Sequence, residues 1–348
     1  MSANSLVFET GPLGFQMPVM DPFVAGMHHK DEFPAGNENM APVKYRDDVA
    51  WGSDFDPHAP WRMYHGRTVP GFPVHPHRGF ETVTVVTEGF ADHADSNGSA
   101  GRYGQGDVQW MTASAGCQHS EMFPLLNMDG PNKMELFQLW LNLAAKDKMA
   151  PPDYKMFWNE DIPVVKENSR SGGTIRVKVI AGSYAGTKAP TPPEPSWAHD
   201  GKNHVGILLV EMGSGATITL PAISRTMNRA VYSYGTGTVI IAGQELKGER
   251  YAVVSGGDEI VIQAMTDNVQ LLVLEGEPIG EPVASYGPFV MNRREELSQA
   301  IEDYRRTSFG GWPWDVDDPV HPRTAGRFAV YRDGHREEPD VFSSQEKR

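Results

Sequence analysis

Gly71-Phe72-Pro73-Val74-His75-Pro76-His77-Arg78-Gly79-Phe80-Glu81 runs straight into Thr82-Val83-Thr84-Val85-Val86-Thr87 and stops at Glu88-Gly89. The second half alternates β-branched residues and ends at a glycine turn, which is the pattern of a strand. The first half carries two histidines one residue apart. Alternate residues of a strand share a face, so His75, His77 and Glu81 point to one side if the strand is unbroken. Further on comes Gly116-Cys117-Gln118-His119-Ser120-Glu121, where the same parity pairs His119 with Glu121. Two such strands in neighbouring parts of a small barrel aim three imidazoles and a carboxylate at one point.

Working outward, short strands continue on both sides. Residues 107–112 and 136–141 complete the first half, and residues 175–180, 205–211, 216–220, 230–234, 238–241, 251–254, 259–264 and 269–274 make a second set. Glycine-rich separators at this spacing indicate an all-β barrel or sandwich rather than βαβ units. Two β-rich halves of similar size suggest a duplication, with residues 82–89 and 231–237 both strands that end at glycine. The periodicity breaks at residues 159–168, which places the domain boundary there. The proline-rich residues 189–195 read as a stiff surface loop or linker. Asn292 with Glu295 reads as a capping box, followed by Leu297, Ala300, Ile301 and Tyr304 on one helical face. The expected organisation is residues 1–162, residues 163–309 ending in that short helix, and an extension over 310–348, docked at its start and mobile at its end.

Neutral imidazoles with one carboxylate suit a divalent ion such as Fe(II), Mn, Ni, Cu or Zn, and four ligands leave positions open on an octahedral ion. The remaining histidines, His28, His29, His58, His65, His93, His199, His204, His321 and His335, read as isolated surface residues. Phe80, Trp110, Met111, Met122 and Phe123 are candidate pocket residues. Cys117 is either a small buried hydrophobe or a thiol that responds to oxidation beside the metal.

The segments 75–84, 106–113 and 119–122, with 287–292 and the helix through Tyr304, resemble the pirin family, a branch of the cupin superfamily. The resemblance covers roughly residues 20–310. It implies a bicupin: two antiparallel β-barrels (double-stranded β-helices), iron as Fe(II) in the N-terminal one, and ligands at His75, His77, His119 and Glu121. Most metal-binding cupins instead draw their carboxylate from the position of Glu81, which becomes the alternative ligand or a partner behind the ligands. Aligning the halves through Gly89 and Gly237 puts Ile223 and Arg225 opposite His75 and His77, so the second barrel is expected to be metal-free.

Two function classes follow from the resemblance. One is an O₂-dependent oxidoreductase of the quercetin 2,3-dioxygenase type acting on a small aromatic substrate, with Glu121 also accepting the substrate's hydroxyl proton. The other is a redox-responsive regulatory protein that contacts a transcription factor or a metabolic enzyme. The composition limits the remaining choices. With 31 basic and 45 acidic residues, net charge −14, the chain has no clustered positive charge for nucleic acid. Apolar runs are strand-sized, with no membrane span and no secretory signal pattern. A single cysteine excludes an internal disulfide framework and fits a cytoplasmic setting.

Overall fold

A computed structural model describes residues 5–170 and 172–340. The protein is all-β with one short α-helix near its C-terminus, and the chain divides into two compact units. One comprises Met27–Glu160 with Glu281 onward; the other comprises the N-terminal residues through Gly26 with Asp161–Gly280.

The unit carrying the histidine pairs is built from two antiparallel sheets. The first runs in the order Asp153–Phe157, Val108–Thr112, Phe80–Glu88, Asn132–Asn142 and Phe23–Phe33, the last belonging to this unit from Met27. The second runs in the order Arg336–Glu337, Phe328–Val330, Ala100–Gly104, Phe90–Asp95, Cys117–Met122 and Gly71–His77. Register decides the site: His75 pairs directly with His119, and His77 with Cys117.

The other unit has a seven-stranded sheet ordered Val7–Pro12, Arg250–Ser255, Asn228–Ser233, Val269–Gly276, Gly206–Met212, Thr174–Ala181, Val164–Asn168. Its four-stranded partner sheet is Thr217–Leu220, Ile260–Ala264, Thr238–Ile241, Gln244–Lys247. Inward-facing β-branched and leucyl side chains such as Val177, Val210, Ile218, Val231, Ile262 and Leu271 close this barrel into one apolar core. Alternation with period two aims these side chains at a single interior.

The structure corrects the linear division of the chain at both ends. The strand Val7–Pro12, unread in the sequence, pairs with Arg250–Ser255, so the N-terminus belongs to the second barrel and not to the first. The C-terminal helix Arg294–Thr307, assigned by sequence to the second half, sits in the unit that carries the histidine pairs. Leu297 and Ala300 pack with Phe289, Met291 and Phe309, while Arg78 pairs with Asp303 at 2.9 Å. The helix is capped one residue later than expected. Glu296, not Glu295, accepts the backbone N–H groups of Asn292 and Arg293. Residues 159–168, read as a break, contain the division between Glu160 and Asp161 but also the strand Val164–Asn168, and the proline-rich loop lies inside a unit rather than between units.

The start of the extension is docked: Gln118 Nε2 donates to the Ser308 and Gly311 carbonyls, and Val74 N donates to Asp317 O at 2.8 Å. The expected mobile end falls on residues 341–348, outside the described residues. Among the described residues no helix is long and apolar enough to cross a membrane.

Candidate metal centre

His75 and His77 end one strand, and His119 lies in the strand beside it. Ligand-capable nitrogens of the three all lie within 4.8 Å of one another. His75 Nδ1 sits 2.8 Å from the Pro73 carbonyl, which fixes its proton there and leaves Nε2 free. Both ring nitrogens of His119 are buried without a hydrogen-bond partner among the described residues. Burial, reinforced by neighbouring histidines, holds His77 and His119 well below the ordinary histidine value; His75 is lowered to about 4. Three neutral imidazoles thus present lone pairs to one point, and one of the orphaned nitrogens of His119 gains a partner if a metal binds.

Glu121 lies beside the group. Its Oε2 lies 3.8 Å from His119 Nε2. Three side chains hold the carboxylate: Thr84 Oγ1 donates to Oε1 at 3.0 Å, Tyr103 Oη to Oε1 at 3.3 Å, and Gln138 Nε2 to Oε2 at 2.8 Å. Burial still raises the carboxyl above its ordinary value, opposed by His93 and these donors.

Glu81 does not share this face. The strand breaks at Arg78-Gly79, where Gly79 adopts φ +88° and a Cβ would come within 1.9 Å of the Val290 carbonyl. That turn inverts the parity after His77. Phe80 and Thr84 keep to the side of the histidines, whereas Glu81 Oε1 accepts from Trp110 Nε1 at 2.9 Å and Thr112 Oγ1 at 2.6 Å. Expecting Glu81 to face inward with His77 assumed an unbroken strand.

The histidines open into a cavity of about 320 Å³. Phe72, Phe123 and Trp140 form its aromatic wall, and His29, His65 and Pro288 also line it. Of the pocket candidates, only Phe123 lines this space. Phe80 backs it, its ring 5.0 Å from His77 and stacked on Trp140 at 4.3 Å. Trp110 packs on Phe157 and serves Glu81, while Met111 and Cys117 cluster with Ala113 and Met122 with Ala41 and Val69, away from the cavity. Burial pushes the Cys117 thiol up, which disfavours its thiolate. Several histidines read as surface residues are not: His28, His29 and His93 are buried, and His65 reaches the cavity.

Sequence reasoning also missed Thr84, Tyr103, Gln138 and Trp140. Gln138 carried a legible signal, as the one polar residue in Leu136-Phe137-Gln138-Leu139-Trp140-Leu141. A polar side chain amid a buried strand requires a partner.

Residues 36–141 match the family described as Pirin, and residues 207–310 match the Pirin C-terminal cupin domain. The chain belongs to the pirin family. A "Pirin-like protein" of Caulobacter vibrioides is 40% identical over 243 residues, covering 69% of this chain and 80% of that one. A protein of Pseudomonas aeruginosa named "Putative quercetin 2,3-dioxygenase PA2418" is 39% identical over 235 residues, covering 68% of this chain and 78% of its own length. Among solved structures, a quercetin 2,3-dioxygenase from Acinetobacter baumannii superposes with a TM-score of 0.68 at 28% identity, covering 88% of this pirin and 98% of that chain. Both units are therefore cupin barrels, and the three-histidine cluster lies in the one formed mainly by the N-terminal half.

Proposed function

We propose that this pirin holds one divalent metal ion, Fe(II), through His75, His77, His119 and Glu121, and uses it as an O₂-dependent dioxygenase on flavonol-type substrates in the cytoplasm. The observation that carries the reading is the convergence of three neutral imidazoles, two of which, His75 and His77, line an aromatic-walled cavity. A bound metal supplies Lewis-acid and one-electron chemistry that brings an enolic substrate and O₂ together. The protein's own groups do the rest. Phe72, Phe123 and Trp140 grip a planar ring system, and the buried indole N–H of Trp140, which has no hydrogen-bond partner among the described residues, offers a hydrogen bond to a ring oxygen. Glu121 accepts the substrate's hydroxyl proton at its carboxylate while Thr84, Tyr103 and Gln138 keep it aimed. Burial raises the carboxyl above its ordinary value, the direction that favours accepting a proton.

The test is anaerobic loading with iron, metal analysis, then oxygen uptake on a panel of flavonols. Uptake in step with substrate loss is expected. Iron-replete protein that consumes no oxygen would overturn the enzyme reading in favour of the regulatory one.

A further inference from the structure

Behind the metal site, aromatic rings continue in a line to the surface. The His119 ring lies 5.6 Å from that of His93, which is fully buried. His93 stacks on Tyr154 at 5.0 Å with an interplanar angle of 11°. Tyr154 meets Tyr331 edge-on at 5.5 Å, and Tyr331 stacks on the exposed ring of His335 at 5.8 Å and 20°. Separate strands make these contacts. Asp153–Phe157 positions Tyr154, and Phe328–Val330 pairs with Ala100–Gly104 to carry Tyr331 over it. At Gly101 a Cβ would sit 3.2 Å from the Tyr154 hydroxyl, so glycine leaves room for that ring. Tyr331 and His335 lie in the extension beyond residue 310, outside both family matches.

The outer end of the line differs chemically from the rest. Tyr331 Oη donates to Glu337 Oε2 at 2.8 Å, and Glu337 Oε1 lies 3.4 Å from His335 Nε2. A phenol gives up an electron far more readily when a base takes its proton in the same step. Tyr331 has such a base and stands near solvent.

We propose that His93, Tyr154 and Tyr331 form an electron relay from Tyr331 to the metal-binding histidines, with Tyr331 as the resting place of the oxidising equivalent. The inference builds on the metal reading above. Electron transfer falls off steeply with distance, so successive rings in near contact carry charge further than one long step. Hydrogen peroxide is reduced to two waters by two electrons and two solvent protons: one electron comes from the loaded site and the second from Tyr331, across Tyr154 and His93. The Tyr331 phenol proton passes to Glu337 Oε2, leaving a neutral tyrosyl radical and a protonated Glu337. A one-electron reductant such as ascorbate, reaching the exposed rim at His335, returns the electron, and Glu337 returns the proton. The relay directs oxidising equivalents away from the ligands, where they would otherwise oxidise the imidazoles.

The experiment treats full-length, iron-loaded protein with hydrogen peroxide, freezes it, and reads the electron paramagnetic resonance spectrum, with ring-deuterated tyrosine for assignment. Mass spectrometry of the peptides then locates oxidised histidines. The unsubstituted protein is expected to give a tyrosyl signal with little oxidation at His93 and His119. Tyr331→Phe should keep its iron, lose the signal and shift oxidation onto those two histidines. Glu337→Gln, a surface change that leaves the core intact, should weaken the signal in the same direction. An unchanged signal and unchanged oxidation map in Tyr331→Phe would overturn the relay. So would iron-loaded protein that consumes peroxide without any tyrosine radical, a result that leaves the metal reading standing. Protein that retains no iron would overturn the metal reading and the relay with it.

Discussion

Two barrels of one architecture put their interiors to opposite uses. The Asp161–Gly280 barrel fills its interior with apolar side chains from Ile175 to Val273. The other places His75, His77, Glu121, Thr84 and Gln138 around a cavity, with His119 clustered beside the first two. The contrast shows that a site arises in this fold by withholding side-chain volume and then satisfying each polar group so exposed. Glu121 has three donors because a buried carboxylate without them costs several kcal/mol. Ile223 and Arg225, aligned by sequence with His75 and His77, lie in an exposed loop and not on an interior strand. The filled barrel therefore differs in backbone as well as in side chains at the corresponding position.

The largest effect should separate the barrels outright. His77→Ala removes one of three converging nitrogens, and metal content by elemental analysis should fall by more than the roughly 10–100-fold typical of losing an outer partner. Full occupancy in this variant would refute the site. Leu271→Ala, in the filled barrel, should leave occupancy unchanged and cost about 2–5 kcal/mol in denaturant unfolding. If it instead emptied the metal site, the two interiors would not be independent.

How much of this was legible depends on whether local pattern or distant partner decided the outcome. Strands such as Phe80–Glu88 and Val269–Gly276 were readable because β-branched alternation is a local signal. The three-histidine cluster was readable because alternate residues of His-x-His share one face and His119 lies on the strand paired beside them. The position of Glu81 was not, since the parity switch sits at Gly79, whose conformation is forced by a close approach from Val290, distant in sequence. The strand Val7–Pro12 was hidden for a similar reason: its partner, Arg250–Ser255, lies at the far end of the chain. His93 looked like any surface histidine, and only the stacked Tyr154 reveals its burial.

A smaller effect concerns acid. His29 is buried and lowered to about 3, through loss of hydration first and then the charges of His28 and Arg62. The unfolded chain takes a proton near the ordinary value of 6.5 and the folded one does not. The stabilisation is therefore complete above about 6.5 and drains as pH falls toward about 3. Between neutrality and pH about 5 the metal-free protein should lose about 2 kcal/mol from this group. His29→Leu should flatten that part of the stability profile. A slope unchanged by the substitution would assign the acid sensitivity elsewhere.

The smallest predicted effect is the most specific, because it tests whether the donors around Glu121 are there for the site or for the barrel. Tyr103→Phe deletes one hydroxyl and little volume. If Tyr103 only fills space, metal affinity and turnover should not move, as for a substitution in the apolar barrel. If it aims the carboxylate, Glu121 loses one of three restraints and both should fall by about tenfold, with the unfolding midpoint nearly constant. Glu121→Gln supplies the upper bound, and Glu81→Gln the control. The latter disturbs the hydrogen bonds to Trp110 and Thr112, on the opposite face of the sheet, and should cost stability rather than metal. A larger loss of metal from Glu81→Gln than from Glu121→Gln would return the ligand to the general cupin position, against the geometry of the Gly79 turn.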